Sequence, residues 1–152
     1  MHVQEHSFTG PRGSTMTLKA PPVWKRTEAA GHELLLARAA FNPAFDDSLL
    51  VRWADGSITD GLVWHAQTVR AHQASMPDFQ LLDEQYSPGR HQHTFVCTGS
   101  AGVTLLVHHL QLSSTVAAGA VTLTTLPLTD AVHSAQMDAL LSSVQLHDGE
   151  NV

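Results

Sequence analysis

The strongest pattern of apolar and polar positions lies in residues 94–126 and predicts three antiparallel strands. Residues 94–97 lead into a glycine- and serine-rich turn at 99–102, residues 103–112 are almost continuously apolar, and valine and leucine alternate with threonine over 119–126. Both faces of the strand at 103–112 are therefore apolar. We expect either helices on both sides of the sheet or one face that is kept for a partner.

Shorter extended stretches precede these three strands. Residues 5–8 and 14–18 flank the turn sequence TGPRG and predict a hairpin. Short apolar runs predict further strands at 33–39, 48–53 and 79–83, because glycine, proline or aspartate residues bound each run and leave little room for a helix.

Two helices are predicted, one before and one after the central strands. The first covers 57–75, where Ser57 and Asp60 have the spacing of a capping box. The second begins at Thr129, which can cap it, and extends to Leu146. Steps of three and four residues place one set of positions of the first helix against the sheet: Ile58, Leu62, Ala66, Val69 and Gln73.

The order of strands, helix, strands and helix indicates an α+β fold, with a largely antiparallel sheet of about seven strands flanked by two main helices. The 152 residues, of which 43% are hydrophobic, suit a single domain over 1–152. The net charge is −6, and the 8 basic residues are scattered along the chain. Without a basic stripe that could follow phosphates, no nucleic-acid partner is expected.

The location of the protein is predicted from what the sequence lacks. The first residues show no secretory signal, and no apolar run reaches the roughly 18 residues that a membrane span needs. Cys97 is the single cysteine, so no internal disulfide can form. These observations predict a cytoplasmic protein that does not insert into membranes.

Histidines are the main candidates for chemistry. His91 and His93 point the same way on a predicted strand, and a hairpin centred on Ser100 and Ala101 would place His108 opposite His93. Three imidazoles on one face could hold zinc, but no acidic residue accompanies them on either strand. We therefore predict no metal site, no cofactor and no enzymatic activity.

Two further pairs of side chains lie on or near the first helix. His65 and His72 are two helical turns apart, about 10 Å, which is too far to share a metal directly, and both are predicted to be solvated. Trp53 and Trp64 flank the start of the helix. They could anchor a partner or pack at the edge of the core.

Four stretches of the chain together resemble segments of one known family. Residues 16–24, MTLKAPPVW, are similar to the opening strand, proline and tryptophan of that family, and 49–53 to its apolar strand ending near a basic residue. Residues 76–84 resemble its helix-ending segment. The strand at 121–126, followed by a helix that ends at 143–146, resembles its last strand and C-terminal helix.

The family that these stretches resemble is that of PsbP-like (DcrB/PsbP) domains. The resemblance implies a PsbP-like α/β/α sandwich and carries no catalytic signature. PsbP-like proteins of this length without a signal peptide include the Eag-class chaperones of bacterial type VI secretion. Those proteins are dimers that hold the hydrophobic transmembrane segments of effectors before export. The resemblance therefore implies a homodimeric chaperone whose partner is a hydrophobic or transmembrane segment of an effector protein.

The favoured hypothesis is a chaperone or adaptor that shields an apolar segment of its partner on one face of the sheet. Period-two spacing on neighbouring strands suggests one contiguous patch, and the full set of expected contacts is Leu105, Val107, Val121, Leu123, Trp53 and Trp64. We expect Val107→Asp together with Leu123→Asp to leave the monomer folded. The alternatives are a structural PsbP-like module that recruits a folded protein, and a small histidine-metal enzyme.

Overall fold

The structure is a computed structural model and describes residues 2–29, 32–38, 46–54, 58 and 60–149. Within these ranges lie ten strands and two α-helices. In chain order they are β1 Gln4–Thr9, β2 Thr15–Ala20, β3 Lys25–Ala29, β4 His32–Arg38, β5 Asp46–Trp53, α1 Gly61–Ser75, β6 Gln80–Ser87, β7 Arg90–Thr98, β8 Thr104–Ser113, β9 Ala118–Thr125, α2 Pro127–Ser142 and β10 Gln145–His147.

A seven-stranded antiparallel sheet forms the middle layer, with the order β3-β4-β5-β9-β8-β7-β6. A smaller sheet has the order β1-β2-β10 and includes the predicted N-terminal hairpin. α1 lies against β7 and β8 on one face of the large sheet, while α2 and the small sheet lie on the other. The predicted α+β fold, with its mostly antiparallel sheet and two helices, is confirmed.

The central strand β8 shows why both of its faces are apolar. Every residue from Leu106 to Leu112 is buried, because α1 lies over one side and α2 over the other. Of the two explanations that the sequence left open, coverage by helices on both sides is therefore the one that the structure bears out.

The larger core lies between the seven-stranded sheet, the small sheet and α2. Apolar side chains from all three layers pack there: Phe8, Met16, Leu18, Leu35, Leu49, Val51, Leu110, Leu112, Val121, Leu123, Met137, Leu140, Leu141 and Val144. Full burial stabilises the fold by roughly 1.5–3 kcal/mol for each large aliphatic side chain. This core is thus the main source of stability.

Both helices begin at different caps from those predicted. Asp60 caps α1, since its carboxylate accepts the N–H groups of Leu62 at 3.0 Å and Val63 at 3.1 Å. Ser57, the expected cap, lies outside the described residues. α2 begins at Pro127. The backbone N–H groups of a helix's first turn have no acceptor within the helix, so proline, which has no N–H, suits this position. Thr129 is buried inside that turn, so the prediction that it caps the helix is wrong.

The end of the second predicted helix is also wrong. α2 ends at Ser142, and residues 145–147 form β10, which pairs with β2 in the small sheet. Pairing with an available strand edge satisfies the backbone groups that the helix would otherwise have bonded. In the part of the chain that the structure describes, no helix is long and apolar enough to cross a membrane.

The predicted contiguous patch on β8 and β9 does not exist. Directly opposite residues of antiparallel strands share a face, and Leu123 lies opposite His108 while Val107 lies opposite Thr124. Leu105 and Val107 therefore face α1, whereas Val121 and Leu123 face α2 and are fully buried in the larger core. The register of β8 against β9 differs by one residue from the one that would form the patch, and a shift of one residue places its two halves on opposite faces of the sheet.

Candidate functional site

Five histidines meet between α1 and the sheet and form what we call the histidine cluster: His65 and His72 on α1, His91 and His93 on β7, and His109 on β8. His65 and His72 are seven residues apart, so they share one side of the helix. The prediction that these two are solvated is wrong, since His65 is 2% exposed and His72 is half-buried.

The alternation of β7 and the pairing of β7 with β8 bring the remaining imidazoles beneath the helix. His91 and His93 alternate with half-buried neighbours, and His109 lies directly opposite His93. The ring centres of His72, His93 and His109 are 4.9–5.2 Å apart. His65 extends the group, with its ring 5.2 Å from that of His93 and 5.7 Å from that of His91.

Hydrogen bonds tie the imidazoles to one another and to polar neighbours. His72 Nδ1 and His93 Nε2 share a bond of 2.8 Å. His65 Nε2 lies 3.1 Å from the Glu84 carboxylate on β6, and His109 Nδ1 lies 2.8 Å from the Thr122 hydroxyl on β9. The sheet-facing side of α1 is therefore bound to β6 and β7 through polar contacts, while the His109–Thr122 bond joins β8 to β9.

The second ring nitrogens of three of these histidines are buried without a hydrogen-bond partner among the described residues. They are His65 Nδ1, His93 Nδ1 and His109 Nε2. A neutral imidazole has one donor and one acceptor nitrogen, and a protonated one has two donors. Protonation would therefore place a new unpartnered N–H in a buried space, which is costly.

Burial and mutual repulsion lower the proton affinity of the cluster. Desolvation, with the nearby His72 and His65 as smaller causes, lowers the pKa of His93 to about 3. The pKa of His109 lies well below its ordinary value for the same reasons, with Arg52 adding to the effect. Desolvation also lowers the pKa values of His72 and His91. At neutral pH these four imidazoles are uncharged.

The expected trio of His91, His93 and His108 does not form. His108 lies opposite Thr94, one residue from the assumed pairing, and faces α2, where its Nε2 is 2.8 Å from the Asp130 carboxylate. Among the residues that the structure describes, no three histidine, cysteine or acidic side chains are placed to hold a metal ion. Acidic partners do accompany two histidines, but from β6 and α2 rather than from the strands considered.

The two tryptophans lie on β5 and α1. Trp53 is half-buried and packs against the larger core, and Gly10 lies directly against its indole ring. Trp64 is half-buried on α1, where its carbonyl accepts the Thr68 hydroxyl. A role in partner binding stays a prediction for both.

Exposed apolar side chains on two neighbouring elements define what we call the α1–β6 surface: Leu62 and Val63 on α1, and Leu81, Leu82 and Tyr86 on β6, where the last three line one surface depression. The two elements are neighbours, since His65 of α1 lies beside Glu84 and Tyr86 of β6. All eight residues of β6 are exposed, and the strand forms one edge of the large sheet. From Leu81 to Tyr86 the surface extends about 17 Å along the strand.

A second apolar surface lies on the other side of the molecule. A groove of about 420 Å³ runs between β2 and α2. Its apolar lining includes Val3, Pro21, Ala135 and Ala139, and Lys19 lies at its rim.

The sequence contained a signal for the cluster that hydrophobic periodicity concealed. Placing Leu62 and Val69 toward the sheet gave a plausible apolar stripe, yet Leu62 is 58% exposed. The better signal was that His65 and His72 share one side of a helix and that His91 and His93 share one side of a strand. Imidazoles arranged in this way can bond to each other between the helix and the strand.

Comparison with solved structures places the fold. The chain is similar to LpqN of Mycobacterium tuberculosis, which is involved in cell envelope biogenesis, with a TM-score of 0.68 and 12% identity over 96% of this chain and 92% of that one. It is similar to cyanobacterial PsbP (CyanoP) from Synechocystis, with a TM-score of 0.61 and 13% identity over 95% and 92%. The fold is PsbP-like.

A third structure agrees with these two. A Pseudomonas aeruginosa protein of unknown function has a TM-score of 0.63 and 16% identity, over 94% of this chain and 96% of that one. No protein-family model and no curated protein sequence matches this chain. At these identities the likeness extends to the fold alone.

Proposed function

We propose that this PsbP-like chain is a non-enzymatic binding module that shields an apolar segment of a partner protein on the α1–β6 surface. The observation that carries the proposal is that Leu81, Leu82 and Tyr86 line one surface depression on β6, next to the helix that exposes Leu62 and Val63. Leu62, Leu82 and Tyr86 are 58%, 52% and 53% exposed on adjacent elements. Contiguous exposed apolar surface commonly marks an interaction site.

The shape and charge of this surface favour an apolar helix with basic ends. Its length along β6, about 17 Å, matches three turns of helix. Asp60, Asp83 and Glu84 border it, and the chain as a whole carries a net charge of −6. Burying each large apolar side chain contributes roughly 1.5–3 kcal/mol before the cost of ordering the partner is subtracted.

A finer identity for the partner is supported by the sequence resemblance to PsbP-like domains, which include the Eag-class chaperones. That resemblance supports a cytoplasmic homodimer that holds the hydrophobic or transmembrane segment of a type VI secretion effector. The contact residues that the sequence predicted on β8 and β9 have to be replaced, however. Val121 and Leu123 are core residues, and Val107 is buried on the face of the sheet that α1 covers. The exposed residues of the α1–β6 surface therefore replace them as the proposed contacts.

Binding of a synthetic apolar helix tests the proposal. The probe is a peptide of about 20 residues, rich in leucine and alanine with lysines at both ends and a fluorophore, and the readout is its anisotropy. We expect Leu62→Asp together with Leu82→Asp to weaken binding at least tenfold, because two charges would then face the apolar helix.

Two matched variants locate the site. Leu128→Asp alters an equally exposed leucine of α2, and Ala139→Asp places a charge in the groove between β2 and α2. Both should bind the peptide like the unaltered protein. Loss of binding in Ala139→Asp alone would move the site to the groove and contradict the proposal. Absence of binding by the unaltered protein would favour the structural module that recruits folded proteins.

A further inference from the structure

The attachment of α1 differs in kind from that of α2. The buried residue of α1 is His65, whereas α2 buries Met137, Leu140 and Leu141. The contacts that join α1 to the sheet along its length are the imidazole contacts already described, together with a bond of 2.9 Å from the Gln111 amide to Thr68. Past its end, Met76 and Phe79 add apolar packing against Phe95, Cys97 and Val107.

Charges around the histidine cluster act on added protons in both directions. Glu84 of β6 is the carboxylate in contact, and it already faces His65. Asp60 at the start of α1 favours protonation of His91, whereas Arg52 of β5 disfavours protonation of His109. Tyr86 of β6 and Cys97 of β7 also face this space; desolvation raises the pKa of each, and Glu84 adds to the effect at Tyr86.

We propose that acidification releases α1 from the sheet while the core on the α2 face stays folded. Protonated imidazoles 4.9–5.7 Å apart repel one another and need water for their new N–H groups, and both demands are met when the helix lifts away. The release uncovers Phe95, Cys97 and Val107, an apolar group on the α1 face of the sheet. This inference does not depend on the proposed partner.

The direction of the effect follows from the lowered proton affinities. A histidine that is held neutral when docked takes up a proton when released, so docking is fully stable above the ordinary pKa near 6.5 and weakens as the pH falls. With the docked pKa of His93 at about 3, the released state gains about 30-fold in relative population between pH 7.5 and pH 5.0 from this one group. His72, His91 and His109 act in the same direction.

Hydrogen exchange measured by mass spectrometry tests the release, after correction for the chemical exchange rate at each pH. We expect the opening constants of amides in residues 61–76 to rise at least about 30-fold from pH 7.5 to pH 5.0. Those of α2 and β9 should change by less than about threefold, since Met137, Leu140 and Leu141 hold α2, and Val121 and Leu123 hold β9, by packing in the apolar core. Parallel loss of protection in α1 and α2, or unchanged protection in α1, would overturn the proposal.

A second readout uses the single cysteine of the unaltered protein. Cys97 is 4% exposed beneath Met76 and Phe79, so a disulfide reagent that reacts at acidic pH should label it faster as the helix lifts, over the same pH range. His93→Gln should reduce the rise in both readouts, and His2→Gln, at an exposed position, should leave it intact. A Cys97 that stays unreactive at pH 5.0, or a release at pH 7.5 on adding EDTA, would contradict a proton-driven opening.

Discussion

The two faces of the seven-stranded sheet exclude water by different chemistry. On the α2 face, leucine, methionine and phenylalanine side chains pack with the small sheet, and Leu49, Leu110 and Leu123 are fully buried. On the α1 face, imidazoles occupy the centre, and the apolar group there is small: Phe95, Cys97 and Val107 with their neighbours.

The difference shows that burial by itself does not determine what a layer contributes. Aliphatic burial stabilises the fold independently of pH, because those side chains have no proton to gain. Imidazole burial stabilises only while the rings stay neutral. One face therefore supplies stability that does not depend on protonation, and on the other we expect the docking of α1 to depend on pH.

A charge on the α2 face should give the largest effect. Leu123→Asp places an unpaired carboxylate in the core, which costs on the order of 5 kcal/mol. Since a domain of this kind is stable by roughly 5–15 kcal/mol, we expect loss of the cooperative unfolding transition in urea. The structure thus reverses the sequence-based expectation that Val107→Asp with Leu123→Asp leaves the monomer folded.

The matched control lies next along the same strand. Thr124 faces the α1 side and is half-buried, so Thr124→Asp should keep a cooperative transition. Equal losses in both variants would mean that the two faces do not differ as described.

A histidine replacement should have a smaller effect that depends on pH. His109→Leu removes a bond to Thr122 and also an unpartnered buried nitrogen, so at pH 7.5 the free energy of unfolding should change by less than about 1 kcal/mol. His109 is neutral when folded but protonates when unfolded below pH 6.5, so its loss removes a term that destabilises the fold in acid.

The measurement is urea unfolding at pH 7.5 and 5.0. The decrease in stability on acidification should be smaller in His109→Leu than in the unaltered protein. His147→Gln, at an exposed position, serves as the control and should show the full decrease. An identical decrease in all three proteins would mean that His109 does not contribute to the loss of stability in acid.

The sequence predicted which stretches form strands better than it predicted which side chains of a strand or helix lie on which side. The strands around 5–8, 48–53 and 103–112 carry strong period-two or continuous apolar patterns, and the structure places strands there. The prediction of which side of α1 meets the sheet was wrong, because polar contacts of His65 and His72 set the orientation of the helix. Hydrophobic periodicity does not take such contacts into account.

The candidate sites failed for a related reason. Pairing His93 with His108 instead of His109 is a shift of one residue, and such a shift exchanges the two faces of a strand. The position of a turn such as 99–102 does not fix the register to one residue, so neither the histidine trio nor the β8–β9 patch could be placed from the sequence.

Metal removal should have the smallest effect of all. Because the described histidines and acids are not placed to hold a metal, elemental analysis of the purified protein should find no stoichiometric zinc, and EDTA should leave the melting temperature unchanged. One zinc per chain that disappears in His91→Ala with His93→Ala would instead support the histidine-metal alternative.

Titration of the individual imidazoles by heteronuclear NMR tests the central claim most directly. If the α1 face is held by neutral rings, the signals of His93 and His109 should show no protonation at pH 6, where a histidine in an unfolded reference peptide, with a pKa near 6.5, is mostly charged. Midpoints near 6.5 for both rings, with α1 still protected from exchange, would contradict the account.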